Sequence, residues 1–258
     1  NYGYWLTQSC PTGHGSVGCP PGTLANNFWP AFGNTLFFTL VTVLLETILG
    51  IGMALVMAKD FHGRGLLRAA VLVPWAIPTA ITAKLWAFLF SEQGIVNSIF
   101  HAHVAWQTDP WAARFSIILA DVWKTTPFMA LLILAGLQMI PKDLYEAARM
   151  DGANAWQRFT RITLPLAKNS IIVAVLFRML DALRMYDLPY IMVGPNPDSP
   201  TATLSQLVVA AIRQDHVNAA SALSTLIFLL IFLIALCFVK SLGSKVAHQA
   251  EPVVAEEE

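Results

Sequence analysis

The chain has 258 residues, 56% of them hydrophobic and only 12% charged, and its mean hydropathy is +0.57. An average soluble domain carries about 25% charged and about 45–50% apolar residues, so an ordinary soluble enzyme is excluded. Sixteen basic residues cancel sixteen acidic ones, which removes the basic footprint of a nucleic-acid binder, and the richness in core-forming residues excludes low-complexity disorder. These proportions describe an integral membrane protein.

A helix needs about 20 apolar residues to span roughly 30 Å of hydrocarbon, and five stretches reach that length. Residues 35–58 are interrupted only by Glu46. Residues 69–90 carry Lys84, with Pro74 and Pro78 near the start. Residues 115–140 contain Asp121, Lys124 and Pro127. Residues 171–193 are the least apolar, and 217–239 have no charge at all. Strand alternation is absent from these runs, so helices are expected rather than a barrel. The expected layout is an external segment over 1–30, an all-α membrane domain over 31–243 with a polar connection at 141–168, and a tail over 244–258.

Basic residues set the orientation. Lys59, Arg64 and Arg68 fall in the first connection, Lys142, Arg149, Arg158, Arg161 and Lys168 in the third, and Lys240 and Lys245 in the tail. The alternate connections supply one each, Arg114 and Arg213. These counts place the first group in the cytoplasm and the N-terminal segment outside. An outside N-terminus that begins at Asn1 leads us to expect a sixth helix upstream, with a cleaved export signal as the rival account.

Cys237 reads as a small buried apolar residue in the last span. Cys10 and Cys19 bracket a Gly- and Pro-rich stretch of the external segment, where an oxidising compartment permits a disulfide. His14 alone beside them is no zinc set. His101, His103 and His216 are external and give no metal signal, and Glu256 to Glu258 read as a solvated tail.

The connection over 141–168 reads as a helix, a break and a second helix. Asp143 and Glu146 have capping-box spacing, Ala147 and Ala148 propagate a helix, and Asp151-Gly152 signals its end. Asn154 is placed to cap the second helix, and Pro165 to close the unit. Physical chemistry alone leaves room for an amphipathic linker whose Leu144, Met150, Trp156 and Phe159 dip into lipid headgroups.

The spacing of Glu146-Ala147-Ala148, then Gly152, then Ile162-Thr163-Leu164-Pro165 resembles the signature of binding-protein-dependent permease subunits of ABC importers. The resemblance implies the type I importer transmembrane fold and a coupling helix docked on a separate ATP-binding subunit. Carried over position by position, Glu146, Ala147, Ala148 and Gly152 are docking residues, with Asp151 at the turn. The chain has no G-x-x-x-x-G-K-[ST] sequence to cradle a phosphate, so ATP and Mg are expected on the partner, with no cofactor on this chain. The resemblance further implies a homologous second permease subunit, an external substrate-binding lipoprotein, and residence in the bacterial inner membrane among its lipids.

Arg178, Asp181, Arg184 and Asp187 recur every third residue in the fourth span. Each charge near a helix centre costs about 2.5–3.5 kcal/mol on insertion scales, so these four must face protein or water. Neighbours on one helix can pair. Two readings stay open: an ion-pair ladder binding this helix to Asp121 and Lys124, and a wet cavity lined by some of them. Sugar hydroxyls suit such groups, and Trp123, Tyr186 and Tyr190 supply rings beside them. The run from Asp121 to Met129 and that from Leu176 to Arg184 resemble trehalose- and maltose-type permeases, which implies a disaccharide substrate. Gly194-Pro195 departs from that pattern in lacking a doubled Gly. Residues 201–215 are too short to cross and read as a surface or re-entrant helix. The competing functions are import of another polar solute such as glycerol phosphate, and ion-coupled secondary transport through Asp121, Asp181 or Asp187.

Overall fold

The computed structural model describes residues 1–12, 15–101 and 103–249, without the side chains of 11, 12, 15 and 241–249. His14 and the acidic stretch 256–258 lie outside the described residues. A short helix α1 (Tyr2–Leu6) leads into a hairpin of β1 (Ser9–Thr12) and β2 (Gly15–Gly18), paired antiparallel with Cys10 opposite Val17. The expected Cys10–Cys19 disulfide closes this hairpin. A 3₁₀ turn at Leu24–Asn27 then enters α2 (Phe28–Ala58).

The remaining helices are α3 (Arg64–Ala76), α4 (Thr79–Leu89), α5 (Ile95–Phe100), α6 (Pro110–Gln138), α7 (Lys142–Met150), α8 (Ala155–Arg158), α9 (Leu164–Ala182), α10 (Asp187–Met192), α11 (Leu204–Arg213) and α12 (Val217–Gln249). Among the described residues, four runs are long and apolar enough to cross a membrane: 24–58, 110–138, 155–182 and 217–240. The α3–α4 pair makes up to a fifth.

Three of the five expected spans form as continuous helices, and two are interrupted. The second starts at Arg64 and bends by 87° between α3 and α4. Pro78 causes this: its ring drives Ile77 into an extended conformation, ψ 131°, and it offers no N–H to continue the helix. The fourth span ends at Ala182 and the chain restarts as α10 at Asp187. Its membrane run therefore lies earlier, from Ala155 through a π-helical turn at Phe159–Thr163 to Ala182. Pro165 does not close the preceding unit. It sits in the first turn of α9, directly after the π-helical turn at Phe159–Thr163, where the local change of hydrogen-bond pattern accommodates its missing N–H.

The centre of the molecule is α2 packed along α6, with α9 laid against both. Small residues permit the approach, as expected where lipid supplies no hydrophobic drive between helices. A Cβ on Gly50 would stand 3.1 Å from Met129 Cβ, and one on Gly136 only 2.2 Å from Ser170 Oγ. At one end Trp5 is fully buried beside Phe28, Leu207 and Leu223, and its indole donates to the Ala219 carbonyl at 2.7 Å. The disulfide hairpin is thereby fixed over the start of α12. Large apolar side chains exposed on α2 and α12, including Leu44, Ile48, Phe228 and Leu233, form the lipid-facing surface.

Gly136→Ala should destabilise the domain by about 1–3 kcal/mol through overpacking, and Ser170→Gly should restore most of that loss because the obstructing atoms are Ser170 Oγ and Cβ. Thermal unfolding of the single and double variants in detergent checks this.

Candidate functional site

Three carboxylates of the membrane region converge on Arg178. Its Nε donates to Glu46 Oε2 at 2.5 Å, its Nη2 to Asp121 Oδ2, and its Nη1 to Asp181 Oδ2 at 3.1 Å. Thr125 Oγ1 donates to the other Glu46 oxygen at 2.7 Å. The Arg178, Glu46 and Asp121 side chains are 2%, 0% and 7% exposed. They are therefore withdrawn from water into an interior where an unpaired charge costs several kcal/mol. One guanidinium thus joins α2, α6 and α9 at a single level.

Glu46 is the residue that sequence reasoning passed over. Its signal was its solitude, one carboxylate in an otherwise apolar span, which by itself marks a functional or paired position. The expected ladder is half present. The Arg178–Asp181 pair and the tie to Asp121 form, but Lys124, Arg184 and Asp187 make no ion pair among the described residues. The helix stops at Ala182, so Arg184 and Asp187 no longer share its face with Arg178.

These unpaired groups line water-accessible space. A cavity of about 380 Å³ is bounded by Asp121, Lys124, Asp181, Arg184, Tyr186 and Asp187, with Trp75 and Thr79 from the bent pair completing the wall. A neighbouring cavity of about 290 Å³ shares Trp75, Arg178, Asp181 and Arg184. Two expected lining residues lie elsewhere. Trp123 packs edge-on against Trp86 at 5.7 Å, and Tyr190 stacks on Tyr186 at 4.9 Å beneath the Arg213 guanidinium. Trp123 turns away because α6 presents Asp121 and Lys124 inward, and the residue between them then points outward.

The polar connection forms the expected helix–break–helix. The last turn of α7 closes as a Schellman motif, with Ala153 N donating to Ala148 O at 2.9 Å and Gly152 N to Arg149 O at 3.0 Å. Gly152 takes φ +78°, and a Cβ there would meet nothing within 4 Å. Asn154 and Gln157 form a reciprocal capping box, both bonds 2.8 Å. The expected cap from Asp143 is absent: Pro141 occupies the N-cap of α7, and Glu146 makes no hydrogen bond among the described residues.

Tyr145 Oη and Thr163 Oγ1, 3.0 Å apart, tie α7 to the π-helical turn. Lys142 Nζ donates to Asp60 at 3.1 Å, and this bond holds the Asp60 carboxyl below its usual range. The lowered value means that the tether is present at neutral pH and is lost as pH falls through that depressed range. No residue of α7 is buried, and Met150 and Trp156 stand 89% and 70% exposed. The surface is built and has no cover among the described residues.

Residues 46–248 match the family of binding-protein-dependent transport system inner membrane components. The chain is 44% identical over 221 residues to the trehalose/maltose transport system permease protein of Thermococcus litoralis, covering 84% of this chain and 75% of that one. It is 39% identical over 219 residues to the trehalose transport system permease protein of Mycobacterium tuberculosis, covering 84% and 71%. Among solved structures it resembles a bacterial alginate ABC transporter crystallised with an alginate pentasaccharide-bound periplasmic protein. That likeness has a TM-score of 0.73 at 26% identity and covers 82% of this chain and 77% of that chain.

Arg178→Met should cost about 3–5 kcal/mol, since it strands two buried carboxylates. Replacing Glu46, Asp121 and Arg178 together with apolar residues of similar volume should cost less than the single change. Unfolding midpoints in one detergent compare the two.

Proposed function

The chain belongs to the family of binding-protein-dependent transport system inner membrane components, and from that membership we propose that it is the permease subunit of an ABC importer for a disaccharide of the trehalose or maltose kind. The observation that carries the substrate class is the cavity beside Arg178. Lys124, Arg184 and Asp187 remain free to donate to and accept from hydroxyl groups, and the Trp75 and Tyr186 rings offer faces for a pyranose. A glycerol phosphate fits less well, because Asp121, Asp181 and Asp187 line the same cavity as Lys124 and Arg184. Ion coupling through Asp121 or Asp181 is also disfavoured, because Arg178 holds both carboxylates.

On this reading α7, the Gly152 turn and α8 are the docking unit for an ATP-binding subunit that holds ATP and Mg. Glu146 and Ala147 are exposed on it and Ala148 is half-buried, with Asp151 at the end of α7. A homologous permease completes the membrane pore, and an external binding protein delivers the sugar. The docking unit continues through the π-helical turn into α9, so helical backbone runs unbroken from Ala155 to Arg178. At 1.5 Å per residue that is roughly 35 Å of rod. Movement of the ATP-binding subunits would reach the cavity wall along it as a rigid-body displacement.

In proteoliposomes containing the assembled transporter, binding-protein-delivered trehalose or maltose should stimulate ATP hydrolysis and accumulate inside, while glycerol phosphate should do neither. The opposite preference would overturn the sugar assignment. Gly152→Asn tests the docking unit separately. Asn tolerates a left-handed conformation, and its side chain has open space in this chain. The variant should therefore keep its unfolding midpoint but lose at least about 90% of sugar-stimulated hydrolysis, a change of roughly 1.4 kcal/mol in coupling.

A further inference from the structure

A second large cavity lies at the end opposite the disulfide hairpin, about 760 Å³ in volume, between the ends of α2 and α6 and the starts of α3 and α7. Its wall holds Lys59, Arg64, Arg68, Lys142 and Arg149 against two carboxylates, Asp60 and Glu146. Asp60 already serves Arg64 and Lys142. Lys59, Arg68 and Arg149 have no carboxylate partner among the described residues. Arg68 donates one Nη to the Met57 carbonyl at 2.7 Å, yet its Nε is buried with no hydrogen-bond partner. A buried guanidinium N–H without an acceptor is uncommon in folded chains, and a ligand oxygen in the cavity would satisfy it.

On the adjoining face of the same two helices runs a groove of about 360 Å³ lined by apolar side chains and Gly52. Its walls are Ile48, Met53 and Val56 of α2 and Leu67 and Val71 of α3, so the α3 residues directly flank Arg68. Gly52 leaves its centre open, with nothing within 4 Å of a Cβ built there. A surplus of cations at the cytoplasmic membrane boundary attracts anionic headgroups, and the neighbouring apolar groove has the lining an acyl chain needs.

We propose that the α2–α3 seam binds one anionic phospholipid of the cytoplasmic leaflet, its phosphate held by Arg68 and Lys59 and an acyl chain lying along Gly52. Arg68 Nε supplies the buried donor and Lys59 the second charge. The lipid sits beside Lys142 and Asp60, which tether α7, so its occupancy stiffens the base of the docking unit. This site does not depend on which solute the chain carries.

The test is native mass spectrometry of the assembled transporter, released from detergent after incubation with dioleoyl phosphatidylglycerol, with dioleoyl phosphatidylcholine, or with inorganic phosphate. Phosphatidylglycerol should give one retained adduct per copy of this chain and phosphatidylcholine none. Arg68→Gln and Lys59→Gln should each weaken retention by roughly fivefold, the value of one cation near an anionic surface, and Arg68→Lys should recover part of it. Gly52→Phe leaves every charge in place but fills the groove, and should lower retention as well. Equal retention of both lipids, an adduct unchanged in the Gln and Phe variants, or stabilisation by inorganic phosphate alike would overturn the proposal. Loss of the ATP-binding subunit in Arg68→Gln with lipid retention intact would also overturn it, by making the basic wall a protein contact.

Discussion

The structure depends on one buried guanidinium. Arg178 is the only cation paired with Glu46 and Asp121 among the described residues, and without it α2 and α6 would hold two carboxylates facing each other in the membrane interior. Such a cluster contributes little net stability, because desolvation of the charges offsets most of their attraction. What it does contribute is register. Three long helices that otherwise meet through interchangeable apolar surfaces are fixed at one level by directional bonds. The cavity wall is then set, since Asp121 and Asp181 are partners of Arg178 and cavity residues at once.

The helical stretch that runs between the exposed polar connection and the cavity wall carries Arg178. Below it, α9 passes without interruption into the π-helical turn and α8, and so into the exposed Gly152 turn. Above it, α9 stops at Ala182 and frees Arg184, Tyr186 and Asp187 to face the cavity as loop and short helix. An unwound segment at membrane depth is tolerated where it lines a polar cavity, and that is where this one lies. The break in α9 is thus part of the cavity wall, and the unbroken stretch beneath it joins that wall to the exposed Gly152 turn.

Local chemistry was legible in the sequence, and tertiary geometry was legible only in part. The Gly152 turn and the Asn154 cap could be read because a left-handed glycine and an N-cap are decided within a few residues. The disulfide pairing and the count of membrane runs followed from composition. The interruption after Ala182 was hidden, because apolarity continues through Leu183, Met185 and Leu188 and hydropathy does not register a change of backbone direction. Treating 178–187 as one helix then produced a four-member ladder of which two members leave the face. Glu46 escaped because its partner lies 132 positions away, beyond any local pattern. Trp123 was misplaced for the complementary reason: its neighbours Asp121 and Lys124 take the inward face of α6.

The account rests on this chain being one membrane half of an assembly whose energy comes from elsewhere. The most direct measurement is mild purification of the tagged full-length protein from its native membrane, with mass spectrometry of the proteins that accompany it. The account predicts an ATP-binding subunit and a second, homologous permease in stable proportion to this chain. A lone subunit or a homodimer, with neither partner present, would contradict it.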